Sequence, residues 1–143
     1  MIKNRLIKKE NPRNKFLTVE FVEDVLKTHG LDIKVNNINI YQVAFSHKSY
    51  VRAARDGHDE ESSSCVPLQD TSNETYEYLG DTILNCVVGS YLYERYYEQN
   101  EGFLTKTRSK LVRGGSLNEL SKGLKFQPWI LMSNHVESEG GRD

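Results

Sequence analysis

The hydrophobic and polar positions of this chain fall into helical blocks joined by polar stretches. In TVEFVEDVLKTHG, Phe21, Val22, Val25 and Leu26 recur at helical spacing, with Thr18 placed to cap the start and Gly30 to end the helix. IYQVAFSHKSYVRAA reads as a second helix that turns Ile40, Val43, Ala44 and Tyr50 inward. A longer helix begins at Thr71 or Ser72, where Thr71 and Glu74 have the spacing of a capping box, and runs to about Tyr97, where EQNEG stops it. FLTKTRSKLV makes a further helix, and Ser116 and Glu119 are spaced to cap LNELSKGL, which Gly123 ends. FQPWILMSNHVESEGGRD reads as a short apolar segment followed by a polar, Gly-containing turn. There is no internal repeat and no period-two alternation, so the fold class expected is all-α.

Length and composition frame this pattern. A chain of 143 residues suits one domain and is long enough to bury a core without disulfides or metals. Residues 1–16 are basic and polar and read as an N-terminal arm; residues 17–143 read as the domain, with 51–72 as an extended polar loop. Within that loop His58 sits beside Asp59 and Glu60, a group better read as solvated charge than as metal ligands. The net charge of −1 gives no bulk attraction to nucleic acid or to an anionic membrane. The distribution of charge says more. Lysine and arginine are frequent in residues 1–55, absent from 56–94 while acids continue, and clustered again in 106–113. That asymmetry points to an acidic site flanked by basic ground. No apolar run approaches the ~18 residues of a membrane span, and the first residues carry charges where a signal peptide needs an apolar stretch. Cys65 and Cys86 have no metal-ligand spacing, and Cys86 lies in an apolar run that suggests a buried thiol. The expected setting is therefore a reducing, cytoplasmic one, with no membrane.

The stretch SNETYEYLGDTILN carries the chemistry. At about 100° per residue, with Glu74 at zero, Glu77 falls near −60° and Asp81 near −20°. Tyr76, Leu79, Ile83 and Val87 fall between about 140° and 220°, so the acids point away from an apolar stripe expected to face the core. Carboxylates three and four apart repel by a few tenths of a kcal/mol per pair, and this helix has no base before Arg95 to relieve them. Tyr78 falls near +40°, beside the acids, as an exposed aromatic on a contact surface would. Clustered carboxylates without a cation suit a divalent metal such as Mg²⁺. Spacing alone leaves both a solvated helix face and a metal site open.

NETYEYLGDTIL resembles the ribonuclease III family signature, roughly N-E-R-L-E-F-L-G-D-A-V-L. Asn73, Glu74, Glu77, Leu79, Gly80 and Asp81 match as identities, Tyr76 and Tyr78 are apolar or aromatic substitutions, and Thr75 replaces the usual arginine. AFSHKSY resembles the family's upstream L-T-H-R/K-S-Y element, EGFLTKTRSKLV its E-G-x-L-T-x-x-R-S-x-L-V helix, and ESEGGRD its S-G-G-R turn. The resemblance implies a homodimeric, all-α endoribonuclease for double-stranded RNA that uses Mg²⁺, with Mn²⁺ as an alternative, and leaves 5′-phosphate and 3′-hydroxyl ends. By position, it makes Glu77 and Asp81 the metal-binding catalytic carboxylates. It also makes Glu74 and Glu101 supporting acids across the dimer and Tyr78 an aromatic that packs into the partner subunit. An A-form duplex is recognised mainly by its shape, phosphates and 2′-hydroxyls, and Lys106, Arg108, Lys110 and Arg113 are the candidates to meet its phosphates. A solvated basic helix face is the alternative for those four, and Arg108, as part of the motif, has a structural alternative of its own. His47 is expected to pack or hydrogen-bond rather than catalyse.

The chain departs from the family pattern at its end. The family has two further catalytic acids, as Asp-x-x-Glu in a helix after the S-G-G-R turn, whereas this sequence stops at Asp143. The expectation is a fragment holding half of the carboxylate site, with little cutting by the 143 residues alone. A catalytically inactive RNA-binding or dimerising module is the alternative, and retention of Glu74, Glu77, Asp81 and Glu101 favours the enzyme.

Overall fold

The computed structural model describes residues 10–52 and 65–142. His58 and its acidic neighbours, like most of the long polar loop, lie outside the described residues. Within them the chain is all-α, with helices α1 (Val19–Thr28), α2 (Ile38–Ala44), α3 (Glu74–Arg95), α4 (Glu101–Leu111), α5 (Gly114–Gly123) and α6 (Asn134–Ser138). Single 3₁₀ turns lie at Lys48–Tyr50 and Gln127–Trp129. The only pairings of β type among the described residues are two isolated bridges, Ser46 with Leu131 and Val51 with Gln69. No described helix is long and apolar enough to cross a membrane. The chain divides into two compact units, one of residues 10–52, 65–74 and 127–142, the other of residues 75–126.

In the first unit α1 forms as the sequence suggests. The Thr18 hydroxyl accepts the Phe21 N–H at 3.3 Å, and Gly30 takes φ +86°, a left-handed conformation that glycine adopts without strain. Val22 is buried, and the Phe21 ring lies 4.9 Å from that of Trp129. The second block does not form one helix. α2 ends at Ala44, the Leu131 N–H donates to Phe45 O, and the His47 N–H donates to Leu131 O, both at 2.9 Å. A long-range pairing thus takes backbone groups that a continuing helix would use itself. Ile40 and Ala44 are exposed, contrary to their expected inward position. Tyr50 does face inward: it is 0% exposed, and its hydroxyl donates to Val66 O at 2.5 Å. Burial pushes the Tyr50 phenol above its ordinary range.

The end of the stretch read as an arm is packed. Asn11 and Asn14 are buried with Leu17, Leu131 and Met132. The Asn11 and Asn14 amides both donate to Met132 O at 3.0 Å, and Asn14 Oδ1 accepts from the Met132 N–H at 3.3 Å. The Gly-containing turn closes on the same place. Gly140 has φ +84°, and a Cβ on Gly141 would sit 2.8 Å from Val136 O and 2.9 Å from Met132 Sδ, so both glycines are required. The turn delivers Arg142, whose side chain bonds Glu137 Oε2 (2.5 Å), Gln127 O (2.6 Å) and Asn14 Oδ1 (2.7 Å). Burial works to raise the Glu137 carboxyl, but hydrogen bonds from Arg142 and Asn11 and the charges of Arg142 and Arg13 hold it below the usual carboxylate range.

In the second unit Asn100 caps α4 by accepting the Phe103 N–H at 2.9 Å, and Phe103 meets Tyr96 edge to face at 5.5 Å. Leu92 is its buried residue on α3. α5 starts at Gly114, ahead of the expected cap. Ser116 is inside the helix, and its hydroxyl donates to Lys110 O at 2.7 Å instead of capping. The apolar stripe of α3 is present by phase but is not core: Leu79 and Ile83 are each 53% exposed, and Tyr76, Val87 and Cys86 are exposed as well. Helical period fixes which side chains share a stripe and says nothing about what lies opposite it.

Candidate functional site

The acids occupy the first two turns of α3, which begins at Glu74, two or three residues later than the capping spacing suggests. Ser72 makes no cap there; its hydroxyl donates to Glu74 Oε2 at 3.2 Å. Because the segment is continuous helix, Glu77 and Asp81 lie one turn apart on one face, both exposed, and Glu74 opens the same face. Placement of acids near a helix N-terminus is favourable by itself, since the helix dipole is positive there.

The three acids are not equivalent. Glu74 has a cation after all: Lys48 Nζ stands 3.6 Å from Glu74 Oε1. This contact is invisible along the helix itself, because Lys48 comes from the 3₁₀ turn in AFSHKSY. Its presence in a second motif was the available signal. Asp81 is steadied by Asn85, whose amide donates to Asp81 Oδ1 at 3.2 Å and to Asp81 O at 2.9 Å. Glu77 has no ion pair or side-chain hydrogen bond among the described residues. Tyr78 is 79% exposed beside them. Glu101 opens α4, and its Oε1 accepts the Thr105 hydroxyl at 2.9 Å. No three His, Cys, Asp or Glu side chains among the described residues are gathered as a ready metal cage.

His47 does hydrogen-bond. His47 Nδ1 accepts the Ser49 N–H at 3.2 Å and therefore also the Ser49 hydroxyl at 2.8 Å, while Ser49 Oγ accepts the Ser133 N–H at 3.0 Å, tying the turn to α6's start. On α4, Lys106 and Lys110 are exposed one turn apart, and Arg113 follows the helix, also exposed. Arg108 is half-buried, its Cδ and Nη1 lying 3.9 Å from where a Cβ on Gly89 of α3 would be. None of the four has an ion-pair partner among the described residues.

The matches to known proteins fall on this region. Residues 74–143 fit the family model described as "Ribonuclease III domain". The chain belongs to the ribonuclease III family. Among its ribonuclease III relatives, the probable ribonuclease 3 of Acanthamoeba polyphaga mimivirus is 32% identical over 137 residues, covering 93% of this chain and 26% of that protein. Ribonuclease 3 of Enterococcus faecalis is 36% identical over 110 residues, covering 77% and 43%. The chain thus spans less than half the length of either relative. Among solved structures, the nuclease domain of ribonuclease III from Campylobacter jejuni superposes with a TM-score of 0.67 at 28% identity, covering 87% of this chain and 72% of that one. That structure is described as showing flexibility in a region involved in dimer formation. In ribonuclease III terms, the signature helix is α3, the E-G-x-L-T helix is α4, and the S-G-G-R turn is the segment that ends at Arg142.

Proposed function

We propose that this chain is part of a metal-dependent endoribonuclease that cuts double-stranded RNA, with Glu77 and Asp81 as its catalytic, metal-holding carboxylates. One observation carries the reading: in a ribonuclease III chain, α3 presents two exposed carboxylates one turn apart, with no cation paired to either among the described residues. The donor chemistry fits Mg²⁺, or Mn²⁺, which take hard oxygen ligands and are usually held by one or two carboxylates with water completing the shell. When bound, such an ion lowers the pKa of its water and neutralises charge on the phosphate oxygens.

The protein's own side chains do the rest. Glu77, with no competing partner among the described residues, and the outer oxygen of Asp81 face solvent. The Asn85 amide holds the other Asp81 oxygen and so fixes the carboxylate's rotation. Lys48 offsets the charge of Glu74, which reduces repulsion on the helix face and leaves Glu74 and Glu101 as supporting acids. Lys106, Lys110 and Arg113, with Arg108 braced against α3, meet phosphates of an A-form duplex recognised by shape. Tyr78, exposed beside the acids, is the contact to a second copy in a homodimer. Both cysteines are free, in keeping with a reducing, cytoplasmic setting.

The test is incubation of a long RNA duplex with the protein at its full natural length, in Mg²⁺ and in Mn²⁺, followed by end analysis. Products with 5′-phosphate and 3′-hydroxyl ends are expected. Tight duplex binding without cutting in either metal would instead mark an inactive binding module.

A further inference from the structure

The first unit carries a cationic cleft that the α3 acids do not explain. Arg13, Lys15, Gln127, Pro128 and Arg142 line an open cavity of about 460 Å³. Three of these five are cations, and Glu137 meets two of them, Arg13 Nη1 at 2.9 Å and Arg142 Nε. Among these lining residues and Glu137, three positive charges stand against one negative. Arg142 has its guanidinium committed to Glu137, Gln127 O and Asn14 Oδ1, so it contributes a fixed positive wall. Arg13 and Lys15 are exposed. Lys15 has no carboxylate partner among the described residues; its ammonium rests 4.1 Å from the centre of the Trp129 ring. A cation parked on an aromatic face keeps its N–H donors available, and Arg13 has five donors of which one nitrogen is engaged.

A concavity with a fixed guanidinium behind and two unsaturated cations at its rim is built for an oxyanion. Its openness suits a chain passing across it better than an enclosed small molecule. We infer that this cleft binds a phosphate group of an RNA backbone, with Lys15 and Arg13 donating, as a contact additional to the α4 cations. The choice of RNA rests on the function proposed above; the oxyanion chemistry does not.

Trp129 is the one tryptophan in the chain, so intrinsic tryptophan emission reports on this cleft alone. Two probes are titrated into the chain, a short blunt RNA duplex and inorganic pyrophosphate, while anisotropy of labelled duplex follows binding independently. Both probes are expected to change Trp129 emission in the wild type and neither in Arg13→Gln/Lys15→Gln. Lys15→Arg should keep the response. For the duplex, the double variant should lower the slope of log affinity against log salt by about 1 to 2. Duplex binding by anisotropy with no change in Trp129 emission, or an unaltered salt slope in the double variant, would overturn the cleft and leave the proposed function standing. A duplex that does not bind the chain at all, while pyrophosphate still changes the emission, would overturn the RNA assignment of the cleft; the proposed function falls only if the protein at its full natural length neither cuts nor binds the duplex.

Discussion

Replacing Arg142 with alanine tests how the first unit is held together. The Arg142 side chain is only 10% exposed and that of Glu137 8%, and three hydrogen bonds leave with the arginine. Removing one partner of a buried ion pair costs about 3–5 kcal/mol when the other charge is stranded. Here Glu137 keeps Arg13 at 2.9 Å and the Asn11 amide at 2.9 Å, so the cost is about 2–4 kcal/mol. With a urea slope of about 1–3 kcal/mol/M, the unfolding midpoint should fall by about 1–2 M. Trp129 emission follows this unit, because the ring sits against Phe21 and Lys15. Acid gives a second signature. The folded carboxyl of Glu137 titrates below its ordinary value, so in that range the unfolded state binds more protons. The stabilisation is therefore full above the unfolded value of about 4.3 and is lost as pH falls through the folded one. The gap between wild type and Arg142→Ala should narrow on acidification over that window. A midpoint shift below about 0.3 M at neutral pH, or a gap that ignores acid, would refute the argument. Arg142→Lys, which keeps charge but not the planar fork, should fall between the two.

Gly141→Ala should destabilise the same unit by about 1–3 kcal/mol, since its Cβ meets backbone at Val136 O and the Met132 sulfur; an unchanged melting temperature would contradict the crowding. Thr18→Ala removes the α1 cap and should cost about 1 kcal/mol, read by urea unfolding, with Thr18→Ser restoring it. Lys106→Gln/Lys110→Gln should weaken duplex binding evenly across RNA sequences and lower the salt slope by about 1 to 2, whereas a solvated face would leave the slope alone.

The sequence made the helices and the ordered motifs legible because both are local. Thr18 and Gly30 bound α1 as their chemistry dictates, and three acids on one helix face follow from period alone. What it concealed is long-range. The chain leaves the helix after Ala44 because Leu131, far along the chain, takes the Phe45 carbonyl and the His47 N–H. Lys48 reaches Glu74 from another motif, so a search for bases along one helix finds none. The α3 stripe and Cys86 looked buried because amphipathic phase was equated with a neighbour, and the described residues do not cover them. Asn11 and Asn14 looked like an arm because polar residues are usually exposed, yet paired with Met132 and Arg142 they are satisfied inside.

The central claim is that the α3 carboxylates do chemistry rather than decorate a surface. The direct measurement is the single-turnover rate of duplex cleavage in Mg²⁺ by Asp81→Asn, in the protein at its full natural length, beside its duplex affinity. Asp81→Asn should lose more than about 100-fold in rate with affinity unchanged, since a lost metal ligand exceeds the 10- to 100-fold cost of a lost supporting partner. Cleavage by Asp81→Asn at the wild-type rate would contradict it.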